Sequence, residues 1–589
     1  GMQIHHPRIE SGRHIQTGRR GPRAARAPLR PGFPHGGRGP ARPVEKSYTA
    51  AAERASIRGA GGCARGFRGM RVVLRLGWLF LAGACASAYV ASADREGHAI
   101  AAEKMAVVDA FRTDLRRPAP PEGDAAAPAP PPIDVPETVT LEDALRIATT
   151  LNRDYKSQEE AFFLSALGLS LTRRNFNEPI FSGTLSWSGS DGRSVELSES
   201  TVLSLSGTQL LPSGGTVTAT TTGSVGTSDV EGVREQDAAM SGTVSLTQPL
   251  LRGAFHGVAF EPLKLAERGV VYAARDFEQF RQRFSIQVIA QYYGLVSQKI
   301  ALQNTERRVA NQEFALRQAR SLYRLELGPQ ADVLRAEQTF RSAQNDLLDA
   351  RQGYELALDR FKIQLGLPLD VEFDVAAEIP PLDPLEVDVR GAVEAALHNR
   401  LDLLTVRDQL DDSRRALDVA RNALLPDLDV DLSYSIFSDT DMSSFRNLAF
   451  DSDTVSLGVT LGLPLDRKAE RNALRSAMIG LDRARRGLDL AEDNVILEVR
   501  DSLRRLRQLQ AQIENDQANI EVIERRVRRA VLDNLAGVGS NRDIVEATDD
   551  LTAAQNGLLG RFVEHLTTRL QLLQQMGLLF VDKQGRIVE

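Results

Sequence analysis

The feature that most constrains what this chain can fold into is an internal duplication. The segment Ala343–Leu348 (AQNDLL) recurs as Ala554–Leu559 (AQNGLL), 211 residues further along the 589-residue chain. The same offset carries Gly328 onto Gly539. Because repeated units bury their apolar faces against one another, the duplication predicts a fold of two equivalent halves that share a core.

Each half also contains an apolar stripe with a seven-residue period. No proline interrupts Leu263–Arg324, so we expect a single helix of about 65 residues, roughly 100 Å long. Helices of this length are uncommon in globular domains, and a heptad stripe is typical of a coiled-coil seam. The sequence therefore predicts one long helical hairpin per half. The stripe comprises Val288, Leu295, Leu302, Val309 and Leu316 in the first copy, and Val499, Leu506, Ile513, Ile520 and Val527 in the second.

Strand-like sequence lies between two prolines in each copy. The interval is 38 residues in the second copy (Pro426 to Pro464) and 70 in the first (Pro179 to Pro249). Alternating apolar and polar positions over about 8–11 residues are typical of tilted transmembrane β-strands. In the second copy the apolar positions are Val430, Leu432, Tyr434 and Ile436, then Val455, Leu457, Val459, Leu461 and Leu463.

The extra 32 residues of the first copy allow two interpretations. Segments Val202–Leu210 and Thr216–Val225 also alternate, and the short stretch Pro212–Gly215 joins them. We expect them to be a further pair of membrane strands with this tight turn facing the periplasm, because outer-membrane barrels have short periplasmic turns. The alternative is a hairpin that stands above the membrane.

The N-terminal part is interpreted as an export signal. Residues 1–69, rich in Arg, Gly and Pro, are predicted to be disordered or an upstream extension. Within residues 70–84, Arg71 and Arg75 precede the short apolar stretch Leu76–Ala84, a layout typical of a secretory signal.

A site for lipid attachment follows this signal. Ala82-Gly83-Ala84-Cys85 resembles a lipobox, so we predict acylation of Cys85; the alternative is cleavage after Ala91-Ser92-Ala93. Residues 85–137, with eight prolines between positions 118 and 136, are interpreted as a tether.

Composition excludes several classes of function. The net charge of −6 combines +13 over residues 1–84 with −19 over the remainder, and so acidic a body argues against nucleic-acid binding. No cysteine follows position 85, and the histidines beyond position 70 are scattered, so no disulfide framework, metal site or cofactor site is predicted. No nucleophile–base pair stands out, so no enzymatic activity is predicted.

Four motifs in a fixed order carry a resemblance to the TolC-like outer-membrane efflux protein family, over roughly residues 138–580. They are Val139–Gln158 (VTLEDALRIATTLNRDYKSQ), Leu246–Gly253 (LTQPLLRG), Gly328–Gln338 (GPQADVLRAEQ) and Leu365–Leu369 (LGLPL). The joint register of the motifs with the duplication makes the resemblance specific.

The resemblance implies an α+β fold: a long α-helical coiled-coil barrel plus transmembrane β-barrel strands, built from a duplicated helix–strand–strand–helix unit and assembled as a trimer. The first repeat spans 138–368 with strands at about 180–251, and the second spans 388–580 with strands at about 428–464. Residues 369–387 are interpreted as a linker and 581–589 as a tail.

The resemblance also implies a function and a site. A homotrimer in outer-membrane lipid would export small molecules or proteins, as in type I secretion, from an inner-membrane pump through a periplasmic adaptor. Asp543, Glu546 and Asp332 would line the periplasmic aperture; favourable first-turn acids are the competing explanation. Adaptor contacts would fall at the helical tips, on Leu325, Leu327, Gly328, Gly537 and Gly539. A periplasmic adaptor and a purely structural envelope protein are the alternatives, and the paired strands in both copies argue against each.

Overall fold

A computed structural model describes residues 86–113, 135–192, 195–230, 233–254, 256–326, 328–378, 387–438, 449–450, 452–536 and 538–588. The interpreted signal, Cys85, Leu327 and Gly537 lie outside the described residues. Acylation of Cys85 therefore stays a prediction.

The first copy runs from helices into a four-stranded segment and back into helices. A helix α1 (Ala86–Thr113) precedes it. Its elements are β1 (Thr138–Val139), α2 (Leu141–Leu151), α3 (Arg153–Asn177), β2 (Ile180–Gly192), β3 (Val195–Leu210), β4 (Thr216–Val230), β5 (Val233–Pro249), the short α4 (His256–Ala259), α5 (Glu261–Arg324) and α6 (Gln330–Leu365).

The second copy repeats this plan with two long strands. A short strand β6 (Asp374–Val375) comes before it and a terminal pair of strands after it. Its elements are α7 (Val389–Asn399), α8 (Leu401–Asn422), β7 (Asp427–Phe437), β8 (Ser452–Gly462), α9 (Lys468–Leu535), α10 (Asn541–Gln575), β9 (Phe580–Val581) and β10 (Ile587–Val588). The α+β class implied by the family resemblance is confirmed.

The helix ends show the duplication at atomic detail. Gly366 ends α6 with a φ of +77°, and a Cβ there would lie 2.4 Å from the Leu151 carbonyl oxygen. Gly577, its repeat partner after α10, has a φ of +69°, and a Cβ there would lie 2.7 Å from the Cβ of Asn399. Left-handed backbone favours glycine because other residues place Cβ against the chain. The same glycine-dependent contact therefore closes each half.

Four helices pack side by side at each level of the helical part. Nearer the sheet the order is α3, α5, α8, α9, and beyond it the order is α6, α5, α10, α9. Polar bridges join the two hairpins: Asn304 donates to the Asn556 side chain at 2.9 Å, and Arg308 contacts both Asp346 and Asp549 at 2.7 Å. Across the described ranges, no helix is both long and apolar enough to cross a bilayer.

The main core lies where the long helices pass the short elements. Val288 and Leu295 of the heptad stripe are buried there with Ile147 of α2 and Phe361 of α6. In the second half Val499 and Leu506 occupy the same role. The seven-residue stripe predicted from the sequence thus marks the packed seam of each hairpin.

Three segments interpreted as tether, linker or tail contain ordered structure. Residues 86–113 of the tether form α1, with Ile100 and Val108 buried against the body. Within the linker, β6 pairs in parallel with β1. Within the tail, β10 pairs with β9, and Val581 is buried in the main core. A few widely spaced apolar side chains anchor each of these three segments to the body. Such spacing does not produce the regular hydrophobic periodicity from which a helix or strand is predicted.

The six long strands form one sheet in the order β2-β3-β4-β5-β7-β8, antiparallel throughout. The inserted strands β3 and β4 lie between β2 and β5. They pair with each other and with these two neighbours along nearly their full length. The strands from the two copies meet where β5 pairs with β7, with Leu246 opposite Leu432. Within the described residues β2 and β8 are its two edges.

Candidate functional site

One face of the sheet is apolar on all six strands. Opposed positions run across it without a break: Leu185 faces Leu203, Leu203 faces Gly223, and Gly223 faces Met240. Along about nine consecutive residues of each strand, none of the side chains that point to this face is charged. About nine residues is the length that a tilted strand needs to cross a bilayer. The largest exposed side chains on it are Phe181, Leu185, Trp187, Leu203, Leu205, Val244, Leu432, Tyr434, Val455, Leu457, Val459 and Leu461.

The opposite face carries hydroxyl groups and a few carboxylates. Ser182 and Ser206 are hydrogen-bonded across strands at 2.7 Å, and Thr243 and Ser435 at 3.0 Å. The Thr247 hydroxyl donates to Asp431 at 2.7 Å. A sheet with one apolar and one hydroxyl-rich face, neither covered by other elements, suits a boundary between lipid and water.

The turn between β3 and β4 lies at the helical end of the sheet. In this turn Leu211 donates its backbone N–H to Gly215 at 2.7 Å, and the Ser213 hydroxyl donates to the Gln248 side chain at 2.6 Å. A Cβ on Gly214, whose φ is +87°, would lie 2.4 Å from the Gly253 carbonyl oxygen, next to the start of the helices. The other ends of β3 and β4, at Val195 and Val230, therefore lie at the far end of the sheet.

The tip of the second hairpin places two of the predicted aperture residues on the first two turns of α10. Asp543 accepts the Ser540 backbone N–H at 3.1 Å and forms a capping box with it. Glu546 is 2.7 Å from the guanidinium of Arg542. Both carboxylates are exposed, and Asp543 also stabilises the start of the helix through the capping box.

The tip of the first hairpin is closer to neutral. Asp332, the third predicted aperture residue, lies 3.6 Å from Arg335 on the same turn of α6. The sharp change of direction occurs at Glu326, whose φ of 60° lies in the left-handed region, and not at Gly328. The sequence predicts a bend over residues 325–328 that includes Glu326, but it does not predict the left-handed conformation there, because glycine is the usual residue in that conformation. The repeat offset offered a signal, since Glu326 corresponds to Gly537.

Replacing Glu326 with glycine should therefore stabilise the protein by about 1 kcal/mol, because the left-handed strain at this position would be relieved. The measurement is the unfolding midpoint of the purified protein in detergent. Glu337→Gly, inside helix α6, is the control and should destabilise by a similar amount. A loss of stability in Glu326→Gly would show that its side chain matters more than its backbone conformation.

A bridging arginine adds ion pairs to the apolar contacts that hold helix α1 against the body. Arg173 of α3 contacts Glu103 at 3.0 Å and Glu267 of α5 at 3.1 Å. The Arg173 hydrogen bond lowers the pKa of Glu103 to about 2, against a smaller opposing effect of burial. The pair thus stabilises docking above the usual glutamate pKa and loses that contribution as the pH falls toward 2. Gly97 packs on Phe163, so the contacts advance along α1 and α3 in the same direction. Helix α1 is therefore parallel to α3 and points toward the sheet.

Comparisons with known sequences agree with this arrangement. Residues 392–578 match the family model described as outer membrane efflux protein. The chain is 27% identical over 381 residues to the alkaline protease secretion protein AprF of Pseudomonas aeruginosa, a match that covers 62% of this chain and 74% of AprF.

Comparisons with solved structures agree as well. The CmeC outer membrane channel of Campylobacter jejuni superposes with a TM-score of 0.57 at 15% identity, covering 78% of this chain and 94% of CmeC. The outer membrane protein VceC of Vibrio cholerae gives 0.56 at 14% identity, covering 74% of this chain and 96% of VceC.

The two-faced sheet and the paired helical hairpins thus define a chain with the fold of an outer-membrane channel subunit. Residues 392–578 resemble the outer membrane efflux proteins and the chain has the fold of solved outer-membrane channels, in agreement with the TolC-like motifs of the sequence. The adaptor and structural-protein alternatives find no support, since strands from both copies build one sheet.

Proposed function

We propose that three copies of this chain form an exit duct in which the sheets cross the outer membrane and the long helices enclose a periplasmic tunnel. The observation that carries the proposal is the uncharged outward face shared by six strands, joined at one end to helices of 64 and 68 residues. The number three comes from the family resemblance.

Exposed leucines on the outer helices support assembly into a ring. At the level nearer the sheet, α3 and α9 are the first and last helices of the row. Leu164 and Leu171 of α3 are exposed with a spacing of seven residues, as are Leu490 and Leu497 of α9. Such stripes form coiled-coil seams when another helix covers them. A neighbouring copy, related by rotation, brings α9 of one chain against α3 of the next.

The open edges of the sheet also favour assembly of several copies into a ring. Backbone groups at a free edge in lipid remain without hydrogen bonds, at a cost of several kcal/mol each. Pairing β8 of one copy with β2 of the next removes these edges around the ring.

The helical tips supply a surface for a periplasmic adaptor. Leu325 is 66% exposed, Leu535 72% and Val538 80%, and all three lie at the ends of the hairpins. At Gly539 a Cβ would approach Asp533 and Asn534 to about 2.9 Å, so glycine permits this tight bend. Exposed apolar side chains clustered at one end favour a protein partner. That partner would connect the duct to an inner-membrane pump.

Polypeptides are the proposed cargo. The relative AprF is by name a protein of alkaline protease secretion. The inner face of the sheet is mainly hydroxyl-lined, which suits a hydrated chain of mixed sequence better than one small apolar molecule.

The aperture proposal leads to a prediction with opposite outcomes at neighbouring positions. Arg542, Asp543 and Glu546 together give one net negative charge per chain at the second tip. Arg542→Gln should strengthen block by multivalent cations in planar bilayers, and Glu546→Gln should weaken it, because the ring charge changes in opposite directions. If neither variant differs from the unsubstituted channel, these side chains act only at the start of the helix.

Deleting the chain from its native cell tests the proposed function. Specific polypeptides should disappear from the medium and accumulate inside the cell, and re-expression should restore their export. Changed sensitivity to toxic compounds with an unaltered set of exported proteins would assign small molecules as the cargo. No change in either measurement would contradict the exit-duct function.

A further inference from the structure

We propose that the inserted hairpin β3–β4 crosses the membrane with the other strands, so that three copies close a barrel of eighteen strands. This inference rests on the proposed exit duct and deepens it. The consequence is an outlet as wide as the helical tunnel, which passes a polypeptide without a second constriction at the membrane.

Pairing of the inserted strands with both neighbours is the first argument. From Ile180↔Thr208 to Ser190↔Ser198, β2 pairs continuously with β3, and from Thr216↔Thr247 to Val230↔Val233, β4 pairs continuously with β5. A hairpin standing above the membrane would leave β2 and β5 to pair with each other inside it. In this sheet β2 and β5 are instead separated by two full-length strands.

The chemistry of the inserted strands is the second argument. Their outward positions carry no charge and continue the face of the flanking strands in register: Leu205, Leu203 and Thr201 on β3, and Val217, Ala219, Thr221, Gly223 and Val225 on β4. Their inward positions are mostly Ser and Thr: Ser200, Ser204, Ser206 and Thr208 on β3, and Thr218, Thr220, Thr222 and Ser224 on β4. A water-exposed hairpin has no need for an uncharged apolar face of this length.

The position of the turn is the third argument. The β3–β4 turn packs beside Gly253 at the helical end, while β2 ends and β5 begins at the opposite end of the sheet. The first copy therefore contributes four membrane-crossing strands, and the second copy contributes two. An even number of strands per chain leaves β8 antiparallel to β2 of the next copy, so the ring closes without a mismatch in direction.

The dimensions of tunnel and barrel agree with this count. Twelve helices about 9 Å apart give a circumference of roughly 110 Å. Eighteen strands spaced by about 4.8 Å and tilted by about 40° also give roughly 110 Å, whereas twelve strands give only about 75 Å. The insertion thus matches the barrel to the tunnel.

Thiol labelling on intact cells tests the topology. Ser213→Cys, in the β3–β4 turn, should stay unlabelled by a polymer-linked maleimide too large for the pore, and should react after the cells are broken. Ser194→Cys, in the β2–β3 connection, should react on intact cells. The unsubstituted chain gives the background from Cys63 and Cys85. Ready labelling of Ser213→Cys on intact cells would place the hairpin outside the membrane and return the barrel to twelve strands.

Deleting Val195–Val230 tests the width. The deletion joins β2 to β5 at the far end and leaves four strands per chain, so the radius of the barrel should fall by about one third. The largest polyethylene glycol that lowers single-channel conductance from the extracellular side should shrink accordingly. An unchanged cut-off would overturn the eighteen-strand inference while leaving the duct intact, whereas absence of conductance in the full-length protein would overturn the duct. Should the deleted chain fail to accumulate, the labelling pair still decides the strand number.

Discussion

Leu457→Arg should nearly abolish accumulation of the protein in the outer membrane, whereas Ser456→Arg, one residue earlier, should be tolerated. Leu457 is 72% exposed at the middle of the apolar face of β8. An arginine facing lipid at mid-membrane costs about 2–4 kcal/mol, and a ring of three copies would incur that cost three times. Ser456 lies on the hydroxyl-rich face, where an added charge meets water.

The measurement is the amount of each variant in the outer-membrane fraction relative to the unsubstituted chain. Both substitutions introduce arginine at adjacent residues of β8, so the two variants differ only in the face of the sheet that carries the charge. Equal loss for both variants would mean that β8 does not separate lipid from water. Equal tolerance would remove the sheet from the membrane altogether.

Gly366→Ala should destabilise the protein by about 3 kcal/mol or more. Left-handed strain at a residue with a Cβ costs about 1–2 kcal/mol, and overpacking adds about 1–3 kcal/mol. The added Cβ would lie 2.4 Å from the Leu151 carbonyl oxygen, which belongs to a helix that cannot move alone. Gly577→Ala should behave similarly because it closes the other half in the same way.

Gly353→Ala is the matched control for this prediction. Gly353 lies inside α6 with no atom near the position of an added Cβ, so alanine should be neutral or stabilising by up to about 1 kcal/mol. Unfolding midpoints followed by helical circular dichroism in detergent compare the three variants. A Gly366→Ala midpoint equal to that of Gly353→Ala would show that the α6 end can shift without cost.

Much of this architecture can be predicted from the sequence because its hydrophobic residues recur at regular intervals. The seven-residue stripe through Val288 and Leu295 marks the helical seam, and the two-residue alternation through Val455 and Leu457 marks a strand with one apolar face. The repeat offset then ties Gly366 to Gly577, and the structure shows why each must be glycine: both approach the neighbouring helix end through left-handed backbone.

The features that the sequence did not reveal depend on single contacts between distant segments. The docking of α1 depends on Arg173 reaching Glu103, 70 residues apart along the chain. The sharp bend of the first tip lies at Glu326, a residue that gives no local turn signal. The sequence also left an alternative placement of the β3–β4 hairpin above the membrane, and the pairing of β3 with β2 and of β4 with β5 argues against it.

The capping and aperture roles of Asp543 and Glu546 are compatible with one another in this geometry. Asp543 caps α10 through the Ser540 N–H and Glu546 pairs with Arg542, yet both carboxylates remain exposed at the tip. A residue can thus hold a helix end in place and still contribute its charge to a narrow passage. Ion block, and not protein stability, separates the two contributions.

Single-channel recording from the purified protein in planar bilayers shows whether the chain forms a pore. We expect discrete conductance steps of uniform size, and larger steps when Asp543 and Glu546 are both replaced by alanine, because the charged ring at the periplasmic end is removed. Protein that inserts into the bilayer but passes no current in either form would contradict the conclusion that this chain builds a conduit.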